Sequence, residues 1–447
     1  MQILLKNGFI LTENGLSKSD ILVENEKIKD IGNISLENFN GLIYDYSNKF
    51  IIPGGIDVHT HFNIDVGVNS VDDFYSGGLA AIYGGTTTIV DHPGFGPNKC
   101  PLDFQIKNYM EFAKICPVDY SFHGVLQHVP NDIEEQMLNL KNKGITSFKL
   151  YMTYTYLMDD YEILKIFEIA KKLNIIICVH AENHGIIEFL KEKYKKQGLT
   201  SPIYHSKSRP DYSESEAVYR LLTLAKITSF EKLYFVHISC KKSLDILKDF
   251  KDKGMNFFVE TCPQYLILTE DYYLKNNGEN YILSPPLRNK EDNIAIQNYI
   301  NLGYIDVVAT DHCTFSLKDK ALGKENFLIC PNGIPGVQER VPIMFSEFLK
   351  GNISAKNFLN TCSLNPAKIF GLYPQKGTIE IGSDADLVVL SLENFKFTSP
   401  ISKASYSAFE SYNSLVKVHS TFIRGNLILE NGNLKNKTFK GVFLKRK

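Results

Sequence analysis

Eight short apolar runs, each ending in polar or ionisable residues, recur through the middle of this chain and limit the folds open to it. They are Ile51–His61, Thr86–His92, Tyr120–Leu126, Ser147–Met152, Ile175–Ala181, Leu233–Ser239, Phe257–Pro263 and Asp306–His312. Between them lie longer lysine- and leucine-rich stretches, such as 159–173 and 243–253, that suit helices. Strand alternating with helix predicts a parallel sheet covered by helices. Eight such units predict a (β/α)8 TIM barrel, an α/β fold whose site lies where the strands end. A doubly wound sheet is the alternative, but no Gly-x-Gly-x-x-Gly follows the first run.

The two ends have a different texture. Residues 1–50 are β-prone runs punctuated by Asn7-Gly8 and Asn14-Gly15, which read as hairpin turns. The same texture returns beyond residue 375, in Thr378–Ile381, Ala385–Leu390 and Thr421–Gly425, with a tight turn at Asn431-Gly432. We read 1–50 and 375–447 as one small β domain built from both termini, and 51–374 as the barrel domain.

The 447 residues carry a net charge of −1, which disfavours nucleic acid or anionic lipid as the main partner. The first residues lack the pattern of a signal peptide, and no apolar stretch approaches a membrane span. The eight cysteines are scattered with no Cys-x-x-Cys, the pattern of reduced, mostly buried thiols in a cytoplasmic protein.

Chemistry-bearing residues fall at the strand ends. His59 and His61 close the first run, sharing a strand face with Asp57. His180 closes the fifth run, His237 lies near the end of the sixth, and Asp311 ends the eighth. Any one of these histidines alone fits a satisfied core residue. Four of them and an aspartate at ends that converge on one barrel mouth point to a metal site. Lys149 lies inside the run Ser147–Met152, where a buried ammonium is expensive. It reads either as an amine reaching out to a carboxylate or as a desolvated, neutral amine open to chemistry. Near two cations, an amine that captures carbon dioxide becomes a carbamate able to bridge them.

These residues sit in motifs that resemble the amidohydrolase superfamily, in its cyclic-amidase branch of dihydropyrimidinases and D-hydantoinases. The carriers are Pro53–His61, Ser147–Met152, Val179–Asn183, His237–Cys240, Glu260–Leu266, Ser284–Arg288, Asp311–Phe315 and Pro331–Gly333, so the resemblance spans nearly the whole length. It implies a metal-dependent hydrolase that opens cyclic amide rings with a hydroxide bridging two divalent metals, zinc by default. His59, His61 and Asp311 would hold the more buried metal, His180 and His237 the more exposed one, and a carboxylated Lys149 would bridge them. Asp311 would shuttle the proton, Tyr154 would donate to the developing oxyanion, and Ser284 and Asn332 would hold the ring's amide edge, largely through backbone groups. Glu182 and Asn183 would support the ligands, and Cys313 would be a packed thiol. The resemblance also implies that the two termini, 1–50 and 375–447, form a β-sandwich beside a metal-dependent catalytic barrel of 51–374, and a homo-oligomer, commonly a tetramer.

The implied substrate is a small neutral cyclic amide. A dihydroorotase carries an arginine two residues after the second metal histidine to pair with a substrate carboxylate; here that residue is Asn63, an amide without the charge. Allantoinase is the runner-up, and a non-catalytic relative of dihydropyrimidinase is the reading from a different class. The loop 62–68, with Tyr151 and Met158, is expected to line the pocket for the ring substituent.

Overall fold

The computed structural model describes residues 2–37 and 39–447. Its terminal strands are β1 (Gln2–Thr12), β2 (Gly15–Glu24), β3 (Lys27–Gly32), β4 (Leu42–Asp45) and β5 (Lys49–Pro53). The central strands are β6 (Gly55–Thr60), β7 (Thr86–Asp91), β8 (Asp119–Phe122), β9 (Gly124–Val125), β10 (Ser147–Tyr151), β11 (Ile176–His180), β12 (Leu233–Phe235), β13 (Phe258–Thr261) and β14 (Val307–Val308). The chain closes with β15 (Leu387–Lys396), β16 (Asn413–Ile423), β17 (Asn426–Glu430) and β18 (Asn433–Leu434).

The central strands are all parallel, in the two sets β6-β7-β8 and β9 to β14. Bridges from Thr60 to His312 and from His312 to Ile334 join the far ends, which closes the barrel. Tyr120–Leu126, expected as one strand, is broken at His123. Its backbone N–H still donates to Asp91 O at 2.9 Å, while its ring turns inward against Val58 O at 3.0 Å. Helices follow the strands as expected, including Asp160–Leu173, which Asp159 and Glu162 cap reciprocally, and Lys241–Asp252.

The terminal strands form one hydrogen-bonded path, β18-β17-β16-β15-β5-β1-β2-β3, with β4 on β1. It wraps a core of its own that includes Ile3, Leu5, Ile21, Ile51, Val389 and Phe422. Three expectations need correction. Ile51–His61 is two strands: β5 pairs with β15 and β1, and β6 opens the barrel. The chain crosses between them at Gly54, where a Cβ would lie 2.1 Å from Thr87 Oγ1, so only glycine passes. Asn7-Gly8 is no hairpin but a bulge inside β1, with Asn7 at φ 63; a bulge and a tight turn both need a residue that tolerates the left-handed region. Thr378–Ile381 lies outside any strand. Asn14-Gly15 and Asn431-Gly432 do make turns, the latter with both φ positive.

Candidate metal centre

β6 ends beside His59 and His61, β11 ends in His180, His237 follows β12 by two residues, and Asp311 follows β14. Lys149 lies within β10, pointing into the barrel. These six side chains, with Tyr154, Ser284 and Asn332, line one cavity of about 580 Å³ at the barrel mouth. Ile64, Val66, Val68 and Tyr151 line it too. Met158, expected there, is instead packed in the core.

The protons of three imidazoles are committed away from the cavity. His59 Nδ1 donates to the Glu260 carboxylate at 2.7 Å, His61 Nδ1 to His92 O at 3.1 Å, and His180 Nε2 to Glu182 at 2.8 Å. An acceptor that faces one ring nitrogen fixes the proton there and leaves the other nitrogen bare. The bare Nε2 atoms of His59 and His61 lie 3.2 and 3.1 Å from Asp311 Oδ1. His180 Nδ1 lies 2.9 Å from His237 Nε2, and His59 Nε2 has no hydrogen-bond partner. Burial, with Lys149 nearby, pushes the His59 ring well below its ordinary pKa, so it is neutral. Lone pairs gathered around a carboxylate repel one another unless a cation lies between them, so the donor set fits a divalent metal. One set of ligand atoms within 4.8 Å of one another comes from His59, His237 and Asp311. It cuts across the pairing implied by the resemblance, in which His237 joins His180 and not Asp311.

Backbone strain gathers at the same place. Tyr154, His237 and Asp311 have φ of 73, 39 and 56, in the left-handed region that residues other than glycine seldom enter, although asparagine, aspartate and histidine do so more often than most. Each aims a side chain that regular strand geometry would direct elsewhere.

Lys149 is buried, and among the described residues no hydrogen-bond partner reaches its amine. Burial lowers its pKa against the opposing pull of Asp311 and Glu260. Its Nζ lies 5.4 Å from the centre of the Tyr151 ring. Burial raises the Tyr154 phenol to about 12 even though Arg209, 5.6 Å from its ring, opposes the shift. Asn332 Nδ2 donates to Ser284 Oγ at 3.1 Å, so these two meet at one wall. The Asn63 side chain turns away to accept from Phe74 N at 3.0 Å, and among the described residues no arginine lines the cavity.

Sequence reasoning missed two supports. Glu260 orients His59 and also accepts from Tyr234 Oη at 2.7 Å and His237 N at 3.0 Å. Arg209 pairs with Glu182 behind His180. Glu260 sits in a predicted strand, but its partner is 201 residues away, and Arg209 carries no local signal at all.

Comparison with known proteins bears on the fold and the family. The amidohydrolase family model matches residues 50–428. A D-phenylhydantoinase of Escherichia coli O127:H6 is 40% identical over 454 aligned positions, covering 100% of this chain and 98% of the relative. A dihydropyrimidinase structure from Brevibacillus agri superposes with a TM-score of 0.96 at 33% identity, covering 100% and 99% of the two chains. An L-hydantoinase structure from Arthrobacter aurescens gives 0.90 at 28% identity, covering 99% of each chain. With a family match across the barrel and relatives aligned from end to end, the chain belongs to the amidohydrolase family, as an enzyme of its cyclic-amidase branch.

Proposed function

We propose that this protein opens small, neutral cyclic amides of the hydantoin and dihydropyrimidine type by hydrolysis. The observation that carries the reading is the set of three imidazoles whose protons are held outward, leaving bare nitrogens of His59 and His61 beside Asp311 and that of His180 beside His237. Two divalent cations, zinc by the preference of such donors, would be held by His59, His61, His180, His237, Asp311 and a carboxylated Lys149. Bound there, they would supply Lewis acidity and an acidified water. The buried, unpaired amine of Lys149 supports its carboxylation, since a neutral amine is the form that captures carbon dioxide, with release of one proton.

The chain's own residues supply the rest. Asp311 takes the proton of the attacking water and returns it to the leaving ring nitrogen. Tyr154, protonated at neutral pH, donates to the developing oxyanion. Ser284 and Asn332 hold the amide edge of the ring. The mouth, walled by Val66, Phe95, Tyr151, Tyr156, Leu328 and Ile329, suits an apolar ring substituent and sheds water around it. The absence of an arginine among the described lining residues favours a neutral ring over dihydroorotate.

On the same reading, 51–374 is the catalytic unit and the terminal segments 1–50 and 375–447 form its accessory domain. The free cysteines support a cytoplasmic setting, and the family's habit supports a homo-oligomer such as a tetramer. Among the described residues no helix is long and apolar enough to cross a membrane.

The test is a panel assay on metal-loaded enzyme with dihydrouracil, hydantoin, substituted hydantoins, allantoin and dihydroorotate. Ring opening of hydantoins or dihydrouracil is expected. Turnover confined to allantoin or dihydroorotate would overturn the substrate assignment. No turnover, with fewer than about two metals bound per chain, would favour a non-catalytic role.

A further inference from the structure

Lys320 is fully buried at the end of a short helix, Leu317–Lys320, and does not itself line the cavity. Among the described residues it has no carboxylate partner. Its ammonium instead donates to three backbone carbonyls: Ile282 O at 2.7 Å, Pro331 O at 3.0 Å and Gly333 O at 3.1 Å. An ammonium has three N–H groups, and all three are used. The acceptors belong to two separate segments. Ile282 lies two residues before Ser284, and Pro331 and Gly333 flank Asn332. The same two segments also touch through Gly333 N to Ile282 O at 3.0 Å and Asn332 Nδ2 to Ser284 Oγ at 3.1 Å.

A lysine buried this completely is costly, and a methionine would fill the same volume without the charge. What the ammonium adds is a fixed distance between two loops that regular secondary structure does not join. Packing holds the second loop tightly as well: a Cβ on Gly333 would lie 2.4 Å from Cys313 O, two residues beyond Asp311.

We propose that Lys320 is a positioning residue for substrate, clasping the segment before Ser284 to the turn around Asn332 and so setting the spacing of the backbone groups that receive the ring's amide edge. The inference rests on the reading of Ser284 and Asn332 given under the proposed function. If those residues bind through backbone groups, Lys320 is a side chain outside the cavity lining through which the recognition surface can be loosened. Lys320 touches neither the reacting atoms nor the metal ligands, so its loss acts on binding more than on chemistry.

The experiment compares Lys320→Met and Lys320→Gln with the wild type, all metal-loaded, on hydantoin and dihydrouracil, with thermal unfolding and metal content measured alongside. Loss of an interaction made equally to substrate and transition state raises KM and spares kcat, so Lys320→Met is expected to raise KM about tenfold or more with kcat within about threefold. Lys320→Gln, which keeps two N–H donors, is expected to fall between. Metal content stays at the wild-type level. A folded variant with wild-type KM, or one that loses kcat alone, overturns the proposal. So does failure of both variants to fold, which would leave Lys320 a purely structural role. A wild type that opens neither ring points instead to failure of the functional reading.

Discussion

The Nδ1 of His59 lies 2.7 Å from Oε1 of Glu260, with both side chains fully out of solvent. That one contact decides which nitrogen of His59 faces the cavity. Glu260→Gln presents an amide that can turn its N–H₂ toward the ring, which removes the preference. Metal affinity is expected to fall about 10- to 100-fold, as for other partners that orient a metal-binding imidazole. Competition with a chelator measures it, and unchanged affinity in the folded variant would remove Glu260 from this role.

Lys149→Ala is expected to abolish activity, because it removes the amine that carries the proposed carbamate. The deletion leaves a space beside Asp311 and the histidines. Short carboxylic acids are expected to enter it and restore part of the rate by supplying the missing oxygens. Full activity and metal content in the variant would rule out a bridging role.

Asp311 combines a proposed proton shuttle with a φ of 56. Asparagine tolerates that region and alanine does not, so the two substitutions separate strain from chemistry. Asp311→Asn is expected to fold like the wild type, whereas Asp311→Ala loses roughly 1 kcal/mol or more of stability. Both are expected to lose about 10²- to 10⁴-fold in kcat, the usual scale for a general acid–base. Stopped assays and urea unfolding distinguish the two effects; near-normal turnover of Asp311→Asn would exclude the shuttle.

Glu182 links His180 to Arg209. Burial alone would raise its carboxyl, but Arg209 and His180 outweigh burial and hold it at about 2, below its ordinary 4.5. A group whose pKa is depressed on folding stabilises the native state above its unfolded value and loses that contribution as pH falls through the folded one. Urea midpoints are therefore expected to drop steadily between about pH 4.5 and pH 2, and Glu182→Gln is expected to flatten that slope. An identical slope in the variant would show that the stabilisation lies elsewhere.

The amino-acid sequence determined the repeating architecture and the ligand types without help. Eight apolar runs with helical stretches between them specify a parallel barrel, because side-chain period is a property of neighbouring residues and survives in any local context. Strand ends converge in such a barrel, so His59, His61, His180, His237 and Asp311 were legible as one group before any coordinates. Periodicity does not report which elements a run pairs with. Ile51–His61 reads as one strand and serves two sheets, and Asn7-Gly8 reads as a turn and makes a bulge. Nor does it report partners brought together by closure. Glu260 meets His59 across 201 residues, Arg209 reaches Glu182 from an irregular segment, and Lys320 spends its three protons on carbonyls of two other segments. Those contacts depend on the whole barrel being shut, since hydrogen bonds are made by position and orientation in space. The residues that do the chemistry were therefore written in the sequence, whereas the residues that aim them were decided by the tertiary fold.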